Sequence, residues 1–208
     1  MSKDEGAALH IIARGEQVVL RGWLASDCDH FVRWLAHGEW RLLDAPWYGY
    51  RTTTTAEDEK RDREWFMKQL KGGDESWCGK RAVIGTPDGT PLGWVNRYGE
   101  QKNPHICFVG IDICQDAFLN RGLGTEALKL WVDHLFAVLD VHKLCLDTWS
   151  FNSRMIRVAE KVGFVYEGRQ REMRFWQGEW LDLVHFGMLR EEWQGNEKEG
   201  QDAAYSGS

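Results

Sequence analysis

Residues 120–128 read Asn-Arg-Gly-Leu-Gly-Thr-Glu-Ala-Leu and connect the apolar run 109–113 to a long segment of helical periodicity. Apolar side chains in that segment recur every three or four residues, which predicts a helix over residues 122–139. Gly122 and Gly124 let the backbone approach a ligand closely, and the first helical turn presents unpaired N–H groups at the positive end of the helix dipole. This strand–loop–helix unit therefore suits a pyrophosphate group.

The loop lacks the spacing of the two common phosphate-binding motifs. It has no GxGxxG fingerprint, and no Gly-Lys-Ser/Thr triplet follows it. A glycine-rich loop before a helix can also be purely structural. Taken alone, the loop leaves both interpretations open.

Around this unit, strands and helices alternate only in the middle of the chain. Helix starts are predicted at Ser26-Asp27, at Thr55 and at Asn152, each a residue type that favours the N-cap. Strands are predicted over residues 17–23, 80–84, 92–98, 106–113, 143–148, 165–176 and 180–190. The turn Pro87-Asp88-Gly89-Thr90 predicts a hairpin between the second and third of these. The pattern predicts a mixed α/β fold, with a mostly antiparallel twisted sheet and helices on both faces.

The length of 208 residues accommodates one sizeable domain, which we expect to span residues 1–193. Residues 194–208 are rich in Gly, Glu and Ser and have little to bury, so a disordered C-terminal tail is expected there. Residues 1–8 have the same character and are expected to be mobile.

Composition excludes several classes of function. The net charge of −6 argues against a nucleic-acid surface, and no apolar run approaches the roughly 18 residues that a membrane span requires. No secretory signal is visible at the N-terminus. The five cysteines follow neither CxxC nor Cys/His metal spacing, which predicts free thiols, no metal site and a cytoplasmic location.

Two runs resemble motifs of the GNAT acetyltransferase superfamily. Residues 120–128 resemble its motif A, and residues 152–164 (Asn-Ser-Arg-Met-Ile-Arg-Val-Ala-Glu-Lys-Val-Gly-Phe) resemble its motif B. Glu167-Gly168 and residues 178–182 are similar to the closing strands of the RimJ/RimL-like branch, which includes acetyltransferases of protein N-termini and aminoglycoside or polyamine enzymes. The resemblance covers about residues 17–193, and two motifs in the right order are more specific than either one.

The resemblance implies a GNAT fold and acetyl-CoA as co-substrate. It places the coenzyme contacts on Ile111, Ile113, Asn120, Arg121, Gly122, Leu123, Gly124, Thr125 and Asn152. The amides of residues 120–125 would bind the pyrophosphate, the edge of strand 111–113 would pair with the pantetheine arm, and Asn152 would hydrogen-bond that arm. The family often has a tyrosine general acid in motif B where this chain has Ala159, so the general acid is unassigned.

Asp112 is the first candidate for the general base that removes a proton from an amine substrate. It lies in an apolar strand, where a carboxylate must face a cleft or be paired, although strand alternation could also turn it to solvent. Its Gly-Ile-Asp context resembles that of aminoglycoside 6'-N-acetyltransferases. Asp147, on the next strand, is the second catalytic candidate.

Trp40, Trp47 and Tyr48 are candidates for a substrate pocket, because aromatic walls suit cations, although such rings also fill cores. The expected function is acetyl transfer from acetyl-CoA to a primary amine of a small polycationic molecule or of a protein or peptide N-terminus. The amine would attack the thioester directly with help from a general base. The alternative is a catalytically silent acetyl-CoA-binding sensor. Exposed last strands often pair in such folds, which makes a homodimer a further expectation.

Overall fold

The computed structural model describes residues 10–48, 51, 53–73, 76–99 and 103–193. The expectations for residues 1–8 and 194–208 lie outside these ranges. The chain divides into two compact units, one made of residues up to Arg97 together with Gly110–His134, the other of Tyr98–Val109 together with the chain from Leu135 onward.

The helices and strands in chain order are β1 (Ile11–Arg14), β2 (Val19–Arg21), α1 (Cys28–Ala36), α2 (Trp40–Leu43), α3 (Ala56–Leu70), β3 (Arg81–Gly85), β4 (Pro91–Tyr98), β5 (Ile106–Ile113), α4 (Leu123–Val138), β6 (Lys143–Trp149), α5 (Ser153–Val162), β7 (Val165–Trp176) and β8 (Glu179–Leu189). Short 3₁₀ turns cover Ala25–Asp27, Pro46–Tyr48 and Asp116–Phe118. The β5 strand and the α4 helix each contribute residues to both units.

The first unit has the strand order β1-β2-β3-β4-β5, and the described pairs β1–β2, β2–β3 and β3–β4 are antiparallel. Its core is rich in aromatic side chains, because α1 directs Phe31 and Trp34 inward and α3 directs Phe66 inward. The α3 helix begins where the sequence indicates, since the Thr55 hydroxyl accepts a hydrogen bond from the Asp58 N–H at 3.1 Å and the Asp58 carboxylate accepts one from the Thr55 N–H.

An ion pair is buried in the same unit. Arg21 and Asp27 have side chains only 2% and 4% exposed, and two parallel hydrogen bonds of 2.7 Å join them. The Arg21 guanidinium also donates to the Gly89 carbonyl, in the turn between β3 and β4. This pair therefore ties β2 to that turn through fully desolvated charges.

The second unit has the strand order β5-β6-β8-β7, in which β5 and β6 are parallel and the other pairs are antiparallel. Asn152 caps α5 by accepting from the Met155 N–H at 3.0 Å, and Gly163 ends that helix in the left-handed conformation (φ 103°). The Arg190 guanidinium donates to the carbonyls of Phe136, Leu139 and Val141 at 2.6–2.8 Å. These hydrogen bonds give partners to backbone carbonyls at and just beyond the end of α4.

The expected mixed α/β fold with a mostly antiparallel sheet is confirmed. Most predicted strands agree with the structure to within one or two residues. The predicted strand over residues 17–23 is shorter (Val19–Arg21), and β1 was missed because four residues carry too little periodicity. No helix in the described ranges is long and apolar enough to span a bilayer.

Candidate active site

A cavity of about 490 Å³ opens in the first unit. Its lining consists of Phe31, Leu35, Trp40, Asp44, Arg61, Asp62, Trp65, Trp77, Arg81, Trp94, Asn96 and Asp112. Aromatic rings and charged groups thus share one concave surface, the composition typical of a ligand site. The elements that supply them lie far apart in sequence.

Two of the predicted pocket residues can be located. Trp40, at the start of α2, lines the cavity and packs edge-on against Trp94 with ring centroids 5.2 Å apart. Trp47 lies in the 3₁₀ turn Pro46–Tyr48 and does not belong to the described lining. The side chain of Tyr48 lies outside the described part of the chain.

Asp112 lies on β5 and lines the cavity; the residue as a whole is half-buried, and its carboxyl group lies in the buried part. Burial, together with the smaller effect of the nearby Asp44, raises the pKa of Asp112 to about 8. The charge of Arg81 and a hydrogen bond donated by the Trp94 indole act in the opposite direction. A carboxyl group with a pKa this close to neutrality can both accept and release a proton at physiological pH.

Arg81 is a site residue that the sequence alone did not reveal. It begins β3, and its guanidinium carbon lies 4.3 Å from the centroid of the Trp77 ring, a cation–π contact. Its Nη1 donates to the Trp77 carbonyl at 3.3 Å. Burial lowers the pKa of Arg81 to about 10, while Asp112 raises it, so the group keeps its positive charge beside the carboxyl group.

The close approach of β4 and β5 positions Asp112. A Cβ atom at Gly93 would lie 1.9 Å from the Asp112 carbonyl oxygen, so only glycine fits there. Just beyond, the N–H groups of Cys114 and Gln115 both donate to the Leu92 carbonyl, at 2.8 and 3.2 Å. These contacts fix the end of β5 against β4, and with it the backbone position of Asp112.

The loop before α4 has two residues in the left-handed conformation, Asn120 (φ 60°) and Gly122 (φ 83°). No atom lies within 4 Å of a Cβ built on Gly122, so the space beside it is open. Arg121 is exposed, with its guanidinium 5.4 Å from the Phe118 ring. Alternating backbone conformations of this kind form concave, N–H-lined turns that suit anions.

The start of α4 is held on three sides. The N–H groups of Thr125 and Glu126 both donate to the Gly122 carbonyl, at 3.0 and 3.2 Å, and Leu123 is buried. Gly124 lies in van der Waals range of the Ile113 and Ile111 side chains, at 3.7 and 3.9 Å from its Cβ position. The Glu126 carboxylate accepts hydrogen bonds from the N–H groups of Glu16 and Gln17, which ties the helix to the loop between β1 and β2.

Asp147, the second catalytic candidate, lies in the second unit. The register of β6 and β8 places it opposite His185, whose Nδ1 is 2.8 Å from the Asp147 carboxylate. His185 was not singled out in the sequence, because its partner is distant along the chain. Asp147 therefore has a defined partner, and its catalytic role stays a prediction.

The fold and motif are matched by comparisons with known proteins. The profile of the acetyltransferase (GNAT) domain family matches residues 17–165, more than half of the chain. The chain therefore belongs to the GNAT acetyltransferase family, which confirms the resemblance found in its motifs and identifies it as an N-acetyltransferase.

Individual relatives agree with this assignment. The SPbeta prophage-derived uncharacterized N-acetyltransferase YokL of Bacillus subtilis is 33% identical over 135 residues, 64% of this chain and 72% of that protein. The aminoglycoside N(6')-acetyltransferase type 1 of Klebsiella pneumoniae is 24% identical over 169 residues, 80% of this chain and 78% of that protein. The spermidine N-acetyltransferase from Vibrio cholerae, solved with CoA and spermine, has a TM-score of 0.68 at 18% identity, covering 86% of this chain and 99% of that one. That likeness shows a shared fold.

Proposed function

We propose that this chain transfers an acetyl group from acetyl-CoA to a primary amine held in the cavity of the first unit, with Asp112 as general base. The observation that carries the proposal is the carboxyl group of Asp112, placed on an aromatic-lined cavity with its pKa raised to about 8. A base with a pKa near the working pH is best suited to accept and release a proton in each turnover.

Acetyl-CoA supplies the activated acetyl group when bound, and its pyrophosphate needs a site on the protein. Residues 120–125 fit that group, because the left-handed conformations of Asn120 and Gly122 and the open space beside Gly122 let an anion approach the start of α4. The N–H groups of Leu123 and Gly124 precede the first hydrogen bond of this helix, which the Thr125 N–H makes to the Gly122 carbonyl. Arg121 adds a positive charge. The contacts proposed for Ile111 and Ile113 are supported by the side chains of both residues lying next to Gly124. The hydrogen bond from Asn152 stays a prediction.

The chain's own residues then act on the amine. A primary amine arrives as an ammonium ion, which the faces of aromatic rings attract. The ionised form of Asp112 accepts one proton from that ammonium ion and leaves a neutral nitrogen with a free electron pair. The charge of Arg81 opposes a further rise in the pKa of Asp112, so that a fraction of Asp112 is ionised at neutral pH and can accept the proton. Placement of both reactants supplies the remaining acceleration.

Two acceptor classes follow from the motifs: small cationic amines and protein or peptide N-termini. The acidic and aromatic lining supports a cationic amine.

Cysteines 28, 78, 107, 114 and 145 are free and buried, which fits the proposed cytoplasmic location. Membership of the RimJ/RimL-like branch is part of the same proposal.

The test is release of free CoA thiol from acetyl-CoA in the presence of polyamines, aminoglycosides, simple amines and N-terminal peptides. Thiol release that depends on one of these amines supports the proposal. Calorimetric titration of acetyl-CoA should show binding to the wild type and none to Gly124→Arg. The control is Gly22→Ala, at a glycine outside the site with room for a methyl group, and this variant should bind acetyl-CoA as the wild type does. Binding without thiol release would favour the silent sensor, and retained micromolar binding by Gly124→Arg would contradict the pyrophosphate site.

A further inference from the structure

Four tryptophans of the cavity form a continuous run of ring contacts. Trp65 and Trp77 have centroids 5.5 Å apart, Trp77 and Trp94 are 5.7 Å apart, and Trp94 and Trp40 are 5.2 Å apart. Phe31 packs against this run, 5.1 Å from Trp77. One side of the cavity is therefore a rigid aromatic wall, a surface that favours flat apolar groups over flexible hydrated ones.

The wall extends from the interior to the surface. Trp40 and Trp94 are buried, whereas Trp65 is 39% exposed although it lines the same cavity. Trp65 also stacks on Phe31, with ring planes 16° apart, so its orientation is fixed by packing. The aromatic lining of the cavity thus includes both an exposed ring and buried rings.

The charges of the lining suit a single cation. Three carboxyl groups (Asp44, Asp62, Asp112) and two guanidinium groups (Arg61, Arg81) leave a net charge of −1 when all are ionised. Asp62 is already ion-paired with Arg51, and Arg61 with Asp58. The remaining groups, Asp44, Asp112 and Arg81, have the same net charge of −1 when ionised. Each additional positive charge on a ligand would be desolvated in the cavity without a matching carboxylate, which is unfavourable.

The polar groups near Asp112 also suit one ammonium ion. Asn96 lines the cavity, and its Oδ1 is buried and has no hydrogen-bond partner among the described residues. A buried acceptor without a donor is unusual, and a small donor such as a water molecule or an ammonium group would satisfy it. An ammonium group carries three donors, enough for both the Asp112 carboxylate and Asn96.

We infer that the acceptor is a primary amine of single positive charge attached to a flat apolar body, as in an arylalkylamine, with its ring against the tryptophan wall and its nitrogen at Asp112 and Asn96. This inference rests on the proposed acetyl transfer and narrows the acceptor within it. Polyamines and aminoglycosides carry too many charges for this lining, and flexible alkylamines gain less from the wall.

The test compares kcat/KM for four amines in the thiol-release assay: 2-phenylethylamine, n-hexylamine, spermidine and kanamycin. We expect 2-phenylethylamine to exceed spermidine and kanamycin at least tenfold, and n-hexylamine at least threefold. If spermidine or kanamycin equals or exceeds 2-phenylethylamine, the inference is overturned, yet acetylation of that polycation would still support the proposed function. If none of the four amines causes thiol release, the inference is also contradicted. Calorimetric titration of acetyl-CoA then tests the proposed function separately.

Variants of the wall provide the second measurement. Trp65→Ala should lower kcat/KM for 2-phenylethylamine at least fivefold and for n-hexylamine less than twofold, because only the aryl group uses the ring. Trp65→Phe, which keeps a flat ring, should restore most of the loss and guards against a simple folding defect. Trp180→Ala is the matched control, an exposed tryptophan of the β7–β8 hairpin that should change neither rate. Equal losses for both amines would contradict the aromatic wall as the determinant.

Discussion

Raising the pH from 7 to 9 should increase kcat/KM about tenfold for an alkylamine whose own pKa lies near ~10.4. Burial raises the pKa of Asp112 to about 8, so about one-tenth of the free enzyme carries the ionised carboxylate at pH 7 and about nine-tenths at pH 9. A general base acts only in its ionised form, and the amine stays protonated over this range. The increase should therefore follow the carboxylate and level off above pH ~8.

The measurement is the initial rate of thiol release at amine concentrations below KM, taken in steps across this pH range. Asp112→Asn should lower kcat/KM at pH 9 by about 10²-fold or more and should lose the inflection near pH 8. Asp140→Asn is the matched control, an exposed aspartate beyond the end of α4, and should retain both the rate and the inflection. Far-UV circular dichroism verifies that both variants are folded.

Three results would refute this reasoning. A wild-type profile that is flat between pH 7 and 9 means that no group with the raised pKa limits the reaction. A rise that continues with unit slope up to the pKa of the amine follows deprotonation of the substrate instead of Asp112. An inflection near pH 8 that survives in Asp112→Asn assigns the titration to another group.

Asp27→Asn should reduce the free energy of unfolding in urea by about 3–5 kcal/mol, because it leaves the Arg21 charge buried without its partner. The control is Asp29→Asn, which removes the exposed ion pair with Arg63 and should reduce the free energy of unfolding by less than ~1 kcal/mol. Equal losses for the two variants would contradict a contribution from the buried pair. Gly93→Ala should lower both the thermal midpoint and kcat/KM, because its Cβ would clash with the β5 backbone, whereas Gly22→Ala has 3.7 Å of room and should change little. The raised pKa of Asp112 means that the folded protein keeps a proton that the unfolded chain loses above pH ~3.9. The stability of wild type relative to Asp112→Asn should therefore fall as the pH rises from about 4 to 8, as measured by thermal midpoints, and a constant difference would argue against the shift.

Local patterns predicted the parts of the fold that depend on neighbouring residues. Asn152 caps α5, as its residue type indicated. The glycine-containing loop at Gly122 and the helix that follows it were predicted for the same reason, since both the glycines and the apolar periodicity are visible within a short window.

The site depends on contacts between distant residues, and a single sequence does not show them. Asp112 was identified because a carboxylate in an apolar strand requires an explanation. Arg81 and Asn96, which share its cavity, lie on β3 and β4 and look like ordinary strand residues. Asp147 was grouped with Asp112 by strand order alone, whereas the β6–β8 register gives it His185 as a partner.

The hydrogen bonds between Glu126 and the loop after β1 have a practical consequence for truncating the protein. The carboxylate that follows the glycine-rich loop is held by the amides of Glu16 and Gln17, and Gly15 must lack a side chain for the contact to form. Removal of the N-terminus past Gln17 would therefore delete the N–H groups that hold Glu126 at the start of α4, while leaving the glycine-rich loop itself unchanged.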